Sequence, residues 1–470
     1  MSRPSIGEHV KMAATIGPAS APPEVLDALI LEGVDCIRIN ASHVKPQDLG
    51  SWVELVRESA KRVGRDIAVA IDLPGIKFRI GELDEPLFLR EGETVHLGRR
   101  GKGRIPVKMS RIAPYVEKGS DIFLRDGFMR LRVTKVDKEE IVATVLRDGE
   151  LVSRAGINLP GIKVREQIPT ARDKEHIEAG LKAGIDVFAL SFVRNAKEVR
   201  KTRKLTNGVP IVAKIERPEA VDHIEEIADA ADALMVARGD LAVECAPEEL
   251  PVLQKRIVTA GNLARKPVIV ATEMLASMVH NPRPTRAELT DVGNAVLDGC
   301  DAAMLSNETA IGHDPVRAVR YLKRIIQTVE RSLLTYNLDI ARPTQPGAAN
   351  RTDWAVTDAV ADAAVKIGAK AIIAFTGSGR TARLISAKRP SMPIYSFSPD
   401  SETRRRCALM WGVRADVTKA YADPNDQIEK TLAYLRKKGL LAKDDRVVVS
   451  FGSPLWKPGT KTNSFRVWEA

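Results

Sequence analysis

The chain has 470 residues, too many for one ordinary domain, and its 44% hydrophobic and 28% charged residues describe folded α/β material. Aromatic residues make up only 4%, so the cores must be aliphatic. The net charge of +11 comes from Lys and Arg dispersed among acids, which favours small anionic partners over nucleic acid, and no apolar run is long enough for a leader or a membrane span. Neither a nucleic-acid nor a membrane partner is therefore expected. The widely separated Cys36, Cys245, Cys300 and Cys407 lack metal spacing and read as reduced thiols of a cytoplasmic protein, three of them core residues.

From Lys11 onward, short aliphatic runs alternate with amphipathic stretches. Strand candidates at 12–17, 36–42 and 67–72 are separated by helical segments from Pro22 to Glu32 and Gln47 to Val63. Between about Pro74 and Pro160 the texture changes to short alternating segments punctuated by Glu91-Gly92, Lys118-Gly119, Asp126-Gly127 and Asp148-Gly149, which predicts an inserted all-β unit. The alternating series then resumes with runs at 186–192, 211–216, 233–237, 267–272 and 302–306. Eight strands with helices between them predict a closed (β/α)8 barrel, whose sites lie at the C-terminal strand ends. Thr285-Arg286-Ala287-Glu288 has capping-box spacing and should open a helix running to Leu297. Arg331 to about Thr352 reads as a linker, followed by a helix from Thr352 to Ile367 and strands at 370–375, 393–397, 413–417 and 446–451.

The most informative stretch is Ile211 to Glu244. Lys214 and Glu216 are two residues apart, so on a strand they share a face, and the next apolar run breaks at Arg238-Gly239-Asp240. Neighbouring parallel strands would bring one lysine and two carboxylates together. Paired carboxylates suit magnesium or manganese, and a lysine suits a phosphate. The plainer alternative is a set of ion pairs at strand ends. Other polar run-enders on the same rim are Arg38, Asn40, Ser42, Asp72, Ser191, Thr272, Ser306 and Glu308.

These words, in order, resemble pyruvate kinase over almost the whole chain: Ala14-Thr-Ile-Gly-Pro-Ala-Ser20, Arg38-Ile-Asn-Ala-Ser-His43, Asn158-Leu-Pro-Gly161, Lys214-Ile-Glu216, Met235-Val-Ala-Arg-Gly-Asp240, Pro282-Arg-Pro-Thr-Arg-Ala-Glu288 and Glu308-Thr-Ala-Ile-Gly312. The resemblance implies a (β/α)8 barrel (1–73 and 160–335), an inserted small β-barrel cap domain (74–159) and a C-terminal α/β regulatory domain (350–470), in a homotetramer. It implies transfer of the phosphoryl group of phosphoenolpyruvate to ADP, giving pyruvate and ATP, with Mg2+ or Mn2+. By the same resemblance, Glu216 and Asp240 hold the metal, while Lys214 and Arg38 neutralise the phosphoryl group. The turn Ala237-Arg238-Gly239-Asp240 takes the substrate carboxylate at a helix N-terminus. Thr272, Ser306 and Glu308 belong to the proton-delivery path. Pro18, Arg38, Asn40, His43 and, in the cap, Asp126 match nucleotide-contacting positions, although His43 alone would read as a surface residue.

The chain departs from the family pattern at several positions. In Asp72-Leu-Pro-Gly-Ile-Lys-Phe-Arg79, Leu73 and Lys77 stand where potassium-dependent members carry Thr and Glu. Lys77 would supply the charge of bound potassium, so K+ is not expected to be required; the alternative is a lysine pointing to solvent. Arg125, Ala155, Glu273 and Asn307 also depart from the usual residues. In the C-terminal unit, Thr376, Ser378, Gly379, Arg380 and Thr381 form a turn resembling a phosphate cradle, closed by a loop with Trp456 and Gly459. The resemblance assigns a phosphorylated allosteric effector to it, against an ordinary Gly-rich βα turn. A carbon–carbon lyase would account for Glu216 and Asp240 but not for Lys214 with a nucleotide-facing cap, and a silent metabolite sensor should have lost Lys214, Glu216 or Thr272, all of which are present. Lys214→Met is expected to abolish transfer with the fold intact.

Overall fold

The computed structural model describes residues 9–99, 101, 104–125, 127–162, 166–336 and 352–470. Eight parallel strands close into a barrel: Lys11–Thr15, Cys36–Asn40, Ala68–Asp72, Val187–Leu190, Ile211–Ile215, Ala233–Ala237, Val268–Ala271 and Ala302–Leu305. Each strand pairs with its neighbours in sequence order and the first pairs with the last. Side chains alternate across the wall. Cys36, Ala68, Ala70, Ala189, Val212, Ala233, Met235 and Ala271 fill the inside. Ile37, Val69, Ala213, Ile215 and Val236 face the helices. Small interior residues fit the crowded axis of an eight-stranded barrel. The low aromatic share predicted such a core.

The same alternation fixes the site. Val212 faces inward, so Lys214 does too, with Glu216 following at the rim. Asp72 ends its strand opposite Asn40 on one neighbour and Ala189 on the other.

Between barrel strands three and four, the insert forms a seven-stranded sheet and a two-stranded ribbon, and it carries a short helix, Met109–Ile112, that the turn-rich sequence does not announce. The C-terminal unit is a five-stranded sheet. Four parallel strands match the expected runs, and a fifth, Ser464–Glu469, pairs antiparallel at the edge. The sequence reading omits this fifth strand. It also places a linker from Arg331, whereas the last barrel helix, Pro315–Tyr336, runs through those residues. The remainder of that linker, 337–351, lies outside the described residues.

The C-terminal unit docks on the end of the barrel opposite the site. Asp186, just before the fourth strand, pairs with Arg405 at 2.7 Å and with Arg57 at 2.6 Å. Asp301, before the eighth strand, pairs with Arg389 at 3.0 Å. Asp66 pairs with Arg404, and Leu409 reaches the barrel's inner cluster. The capping box at Thr285 is present, with Glu288 N–H donating to Thr285 Oγ1 at 3.2 Å and Thr285 N–H to Glu288 Oε2 at 2.7 Å. A second box, at Thr170, opens the helix Ala171–Ala183. Cys36, Cys300 and Cys407 are buried and unpaired core thiols, as expected.

Candidate active site

Four charged side chains of alternating sign are joined at the C-terminal rim. Arg38 donates to Asp72 Oδ2 from Nε at 2.8 Å and from Nη2 at 2.5 Å, and to Thr15 Oγ1 from Nη1 at 3.0 Å. Lys214 Nζ lies 2.9 Å from the other Asp72 oxygen and 2.7 Å from Glu216 Oε1, and donates to Ser191 Oγ at 2.8 Å. Phe192 N–H donates to Glu216 Oε2 at 2.6 Å. The sequence reading placed Lys214 either on a phosphoryl group or in an ion pair with Glu216, and the ion pair is present. Asp72 and Ser191, neither of which that reading placed in the site, hold the centre of the network. A polar residue at a strand end was the signal for Ser191, and Asp72 also opens the word that runs to Arg79.

Burial alone would lower the pKa of Lys214, but the Asp72 and Glu216 carboxylates outweigh it and hold the ammonium above its ordinary value. Burial would likewise raise Asp72, and the charges of Lys214 and Arg38 reverse that and hold it below the usual carboxylate range. Glu216 behaves oppositely. Its burial, with the charges of Asp240 and Asp72, lifts it against the pull of Lys214. One ammonium serves two buried carboxylates, and Glu216 is the one left under-compensated.

Glu216 is also suited to a cation. Its Oε1 is buried with the Lys214 ammonium at 2.7 Å as its partner, and Asp240 lies close enough to raise its pKa. Among the described residues no cluster of three or more His, Cys, Asp or Glu side chains gathers to hold a metal. Two carboxylates fit an ion such as Mg2+ that keeps waters and draws further oxygens from a phosphorylated substrate. Asp240 is currently paired with Lys77, whose Nζ is 2.9 Å from Oδ1. Lys77 therefore turns into the site and not out to solvent.

Ala237 caps the short helix Arg238–Glu244, as expected. The Arg238 side chain does not face this turn. It is buried, donating to Asp291 at 2.8 and 2.6 Å and to the Thr272 carbonyl from Nε at 3.2 Å and Nη2 at 2.7 Å. Gly239 N–H donates to Thr272 Oγ1 at 2.8 Å, so this member of the expected anion-binding turn already has an acceptor. Thr272 and Glu273 are left-handed, with φ of 68° and 54°. For a β-branched threonine this conformation is strained, and the Arg238 clamp on its carbonyl holds it there.

Glu308 is buried, its oxygens accepting Leu275 N–H at 3.0 Å and Ser306 N–H at 2.7 Å, which stitches the rim loops of the last two strands together. Ser306 Oγ is buried without a hydrogen-bond partner among the described residues. On the nucleotide side, Pro18 and His43 are exposed, and Asn40 Oδ1 accepts Ser42 N–H at 3.1 Å. Asp126 lies outside the described residues. Beside it, a Cβ on Gly127 would sit 3.4 Å from Val243, so the insert leans on the helix that carries Asp240.

In the C-terminal turn, Arg380 is drawn inward onto buried Asp353, with Nε at 2.7 Å and Nη2 at 2.5 Å. Thr381 Oγ1 shares a 2.8 Å hydrogen bond with Thr462 Oγ1. Thr376 is buried, Ser378 is exposed, and Gly379 has φ 80°. Trp456 packs edge-on against Phe375 at 5.9 Å and donates to Gln427 at 3.1 Å, while Gly459 has φ 77°.

Comparison with known proteins decides among the readings of this rim. The family model "Pyruvate kinase, barrel domain" matches residues 8–319, and "Pyruvate kinase, alpha/beta domain" matches 354–468. The chain belongs to the pyruvate kinase family. It is similar to a pyruvate kinase of Agrobacterium vitis, 40% identical over 98% of each chain. It is also 38% identical to one of Thermococcus litoralis over 98% of each chain. A third, from Geobacillus stearothermophilus, is 38% identical over 97% of this chain and 79% of that one. Pyruvate kinases are phosphotransferases. The relatives named above are all pyruvate kinases, which favours the phosphotransferase reading over the lyase and sensor readings.

Proposed function

We propose that this enzyme transfers the phosphoryl group of phosphoenolpyruvate to ADP, releasing pyruvate and ATP, and does so without bound potassium. The observation that carries the reading is the linked array of Arg38, Asp72, Lys214 and Glu216, with Asp240 beside it, at the rim that holds the site in (β/α)8 enzymes. Phosphoryl transfer asks little covalent work of a protein; fixed positive charge and alignment do most of it. Lys214, held rigidly by Asp72, Glu216 and Ser191, supplies charge to the moving phosphoryl group, and Arg38 supports it from the nucleotide side. A divalent ion, Mg2+ or Mn2+, held by Glu216 and Asp240, would supply Lewis-acid stabilisation of the substrate oxygens. The helix end at Ala237 to Asp240 orients the substrate carboxylate through backbone N–H groups other than that of Gly239. Thr272 stands over the enolate carbon, and Ser306 and Glu308 lie behind it on the proton path.

Pro18, Asn40, His43 and Asp126 receive the nucleotide. Lys77, drawn into the site by Asp240, takes the electrostatic place of a monovalent cation. The chain divides as barrel 1–73 and 160–335, cap 74–159 and C-terminal unit 350–470, and acts as a cytoplasmic homotetramer. A phosphorylated effector binds at Thr376, Ser378, Gly379, Arg380 and Thr381 under the Trp456 and Gly459 loop, and must draw Arg380 away from Asp353 to use it. Among the described residues no helix is long and apolar enough to cross a membrane.

The test is pyruvate formation from phosphoenolpyruvate and ADP with magnesium in tetramethylammonium buffer, repeated with potassium chloride at matched ionic strength and with sugar phosphates added. Equal rates with and without potassium are expected. Activity only with potassium would remove Lys77 from its role, and inactivity in every buffer would remove the reaction. Sugar phosphates that leave the rate unchanged at every substrate concentration would remove the effector site.

A further inference from the structure

The two segments that join the insert to the barrel meet on one residue, Phe192. The entering segment is fastened to the end of the fourth barrel strand. Leu73 N–H donates to the Ala189 carbonyl at 2.9 Å, and the Leu73 carbonyl accepts from Ser191 Oγ at 2.8 Å. At Gly75, where φ is 61°, a Cβ would stand 2.7 Å from Ser191 Cβ and 2.8 Å from Phe192 Cδ2, so the entering backbone lies directly on Phe192. The returning segment is held by Arg217, whose Nη1 donates to the Ile162 carbonyl at 3.1 Å. The same guanidinium lies over the Phe192 ring, 5.8 Å from its centroid.

Phe192 in turn reaches the candidate metal site, because its N–H is the 2.6 Å donor to Glu216 Oε2. Its φ of 55° is left-handed, a conformation that a side chain of this size keeps only when its surroundings impose it. The Gly75 backbone and the Arg217 guanidinium supply that constraint. Arg217 is itself buried and poorly satisfied. Beyond Ile162 it has Glu219 at 3.8 Å and Glu244, at the end of the helix that carries Asp240, at 4.0 Å. Its Nε has no hydrogen-bond partner among the described residues. A buried cation with so few directed bonds is a weak device for stability alone, since its lost hydration is incompletely replaced.

We propose that Arg217 is a positioning residue: by pinning Phe192 against both connections of the cap, it fixes the N–H that aims Glu216 at a divalent ion, so that cap position and metal affinity are coupled. This role rests on the reading of Glu216 as a metal ligand. Such coupling is reciprocal, so an ion held by Glu216 must also steady the two connections.

The probe is Mn2+ alone, added to the full chain, with binding followed by electron paramagnetic resonance and hydrogen exchange read over residues 73–76 and 158–162. Wild type is expected to bind Mn2+, and the ion should slow exchange in both connections. Arg217→Met keeps an apolar stem but loses the cation and the donor. It should bind Mn2+ about tenfold more weakly, exchange faster in both connections, and lose the effect of Mn2+ on them. Arg217→Lys, which keeps a charge near the ring, should recover most of the Mn2+ affinity. A lower melting temperature in Arg217→Met with Mn2+ affinity within twofold of wild type would overturn the proposal and leave Arg217 a structural residue. Wild-type exchange that Mn2+ leaves unchanged in both connections would overturn the coupling without recourse to any variant. Glu216→Gln tests the underlying reading separately: Mn2+ affinity unchanged in that variant would remove Glu216 as a ligand. Affinity lost there but retained in Arg217→Met would overturn the positioning role alone.

Discussion

Replacing Lys214 by Met separates the chemistry of the rim from its architecture. The sequence predicts lost activity in an intact fold, but the structure adds a stability cost. Lys214 is the shared partner of Asp72 and Glu216, whose side chains are 2% and 1% exposed. Removing one partner of a buried ion pair costs about 3–5 kcal/mol because the remaining charge stays buried. Asp72 keeps Arg38 at 2.5 Å, so the loss falls mainly on Glu216 and belongs near the lower figure, about 3 kcal/mol. For a barrel-sized unit this lowers the melting temperature by roughly 6–12 °C. The deficit depends on pH. Burial already lifts the Glu216 carboxyl, and without Lys214 it rises further. A carboxyl whose folded pKa lies above its unfolded value weakens the fold at high pH and ceases to do so as pH falls through the folded pKa. Calorimetry should therefore show a wide gap between wild type and Lys214→Met at pH 8 that narrows toward pH 5.5. Pyruvate formation, measured at a temperature where the variant is folded, should fall by about 10³-fold or more, equivalent to roughly 4 kcal/mol of transition-state stabilisation. An unchanged melting temperature at pH 8 would refute the shared-partner reasoning, and turnover within tenfold of wild type would refute the catalytic role.

Arg238→Lys removes the paired bonds to Asp291 and the clamp on the Thr272 carbonyl, letting the strained Thr272 relax. A displacement of the Thr272 hydroxyl on the order of 1 Å should lower kcat by about 10²-fold with a smaller change in KM; kcat within threefold of wild type would count against the clamp. Lys266, just before the seventh barrel strand, is lowered to about 8, first by burial and then by Arg383. Between about pH 8 and 10.5 the unfolded chain holds this proton and the folded chain does not, so stability rises with pH across that interval by about 3 kcal/mol. Urea unfolding of wild type and Lys266→Met at pH 7, 8.5 and 10 should show the rise only in wild type, and parallel curves would contradict it.

The barrel, its insert and the lysine–carboxylate pair were legible because alternation and run length report local geometry directly. What was not legible depends on partners distant in sequence. Asp72 and Ser191 lie at the ends of adjacent strands, and only closure of the sheet brings both to Lys214, 142 and 23 residues away along the chain. Arg238 stands in a motif that concerns its backbone, while its side chain runs to Asp291, 53 residues on. Arg380 reads as part of an open cradle until helix Thr352–Lys366 packs beside it and presents Asp353. The missed edge strand is a different case, since Phe465, Val467 and their polar neighbours alternate in full view. The misplaced linker arose from the prolines at 343 and 346, which drew the boundary back into residues that keep their helical period to Tyr336.

The two ends of the barrel use buried charge differently. At the far end Asp186 and Asp301 are locked to arginines of the C-terminal unit or a neighbouring helix, and breaking such pairs costs stability without touching chemistry. At the rim the same device is repeated in series, Arg38 to Asp72 to Lys214 to Glu216, and the series has loose ends. Among the described residues Ser306 Oγ has no hydrogen-bond partner, Glu216 Oε1 has only the ion pair with Lys214, and Asp240 is held by a partly exposed lysine. A closed network would be more stable and inert. An array rigid enough to keep its charges in place, yet under-satisfied where a ligand arrives, stabilises developing charge without having to reorganise around it. The rim array thus differs from the far end, where Asp186 and Asp301 are held by arginines that fasten the scaffold together.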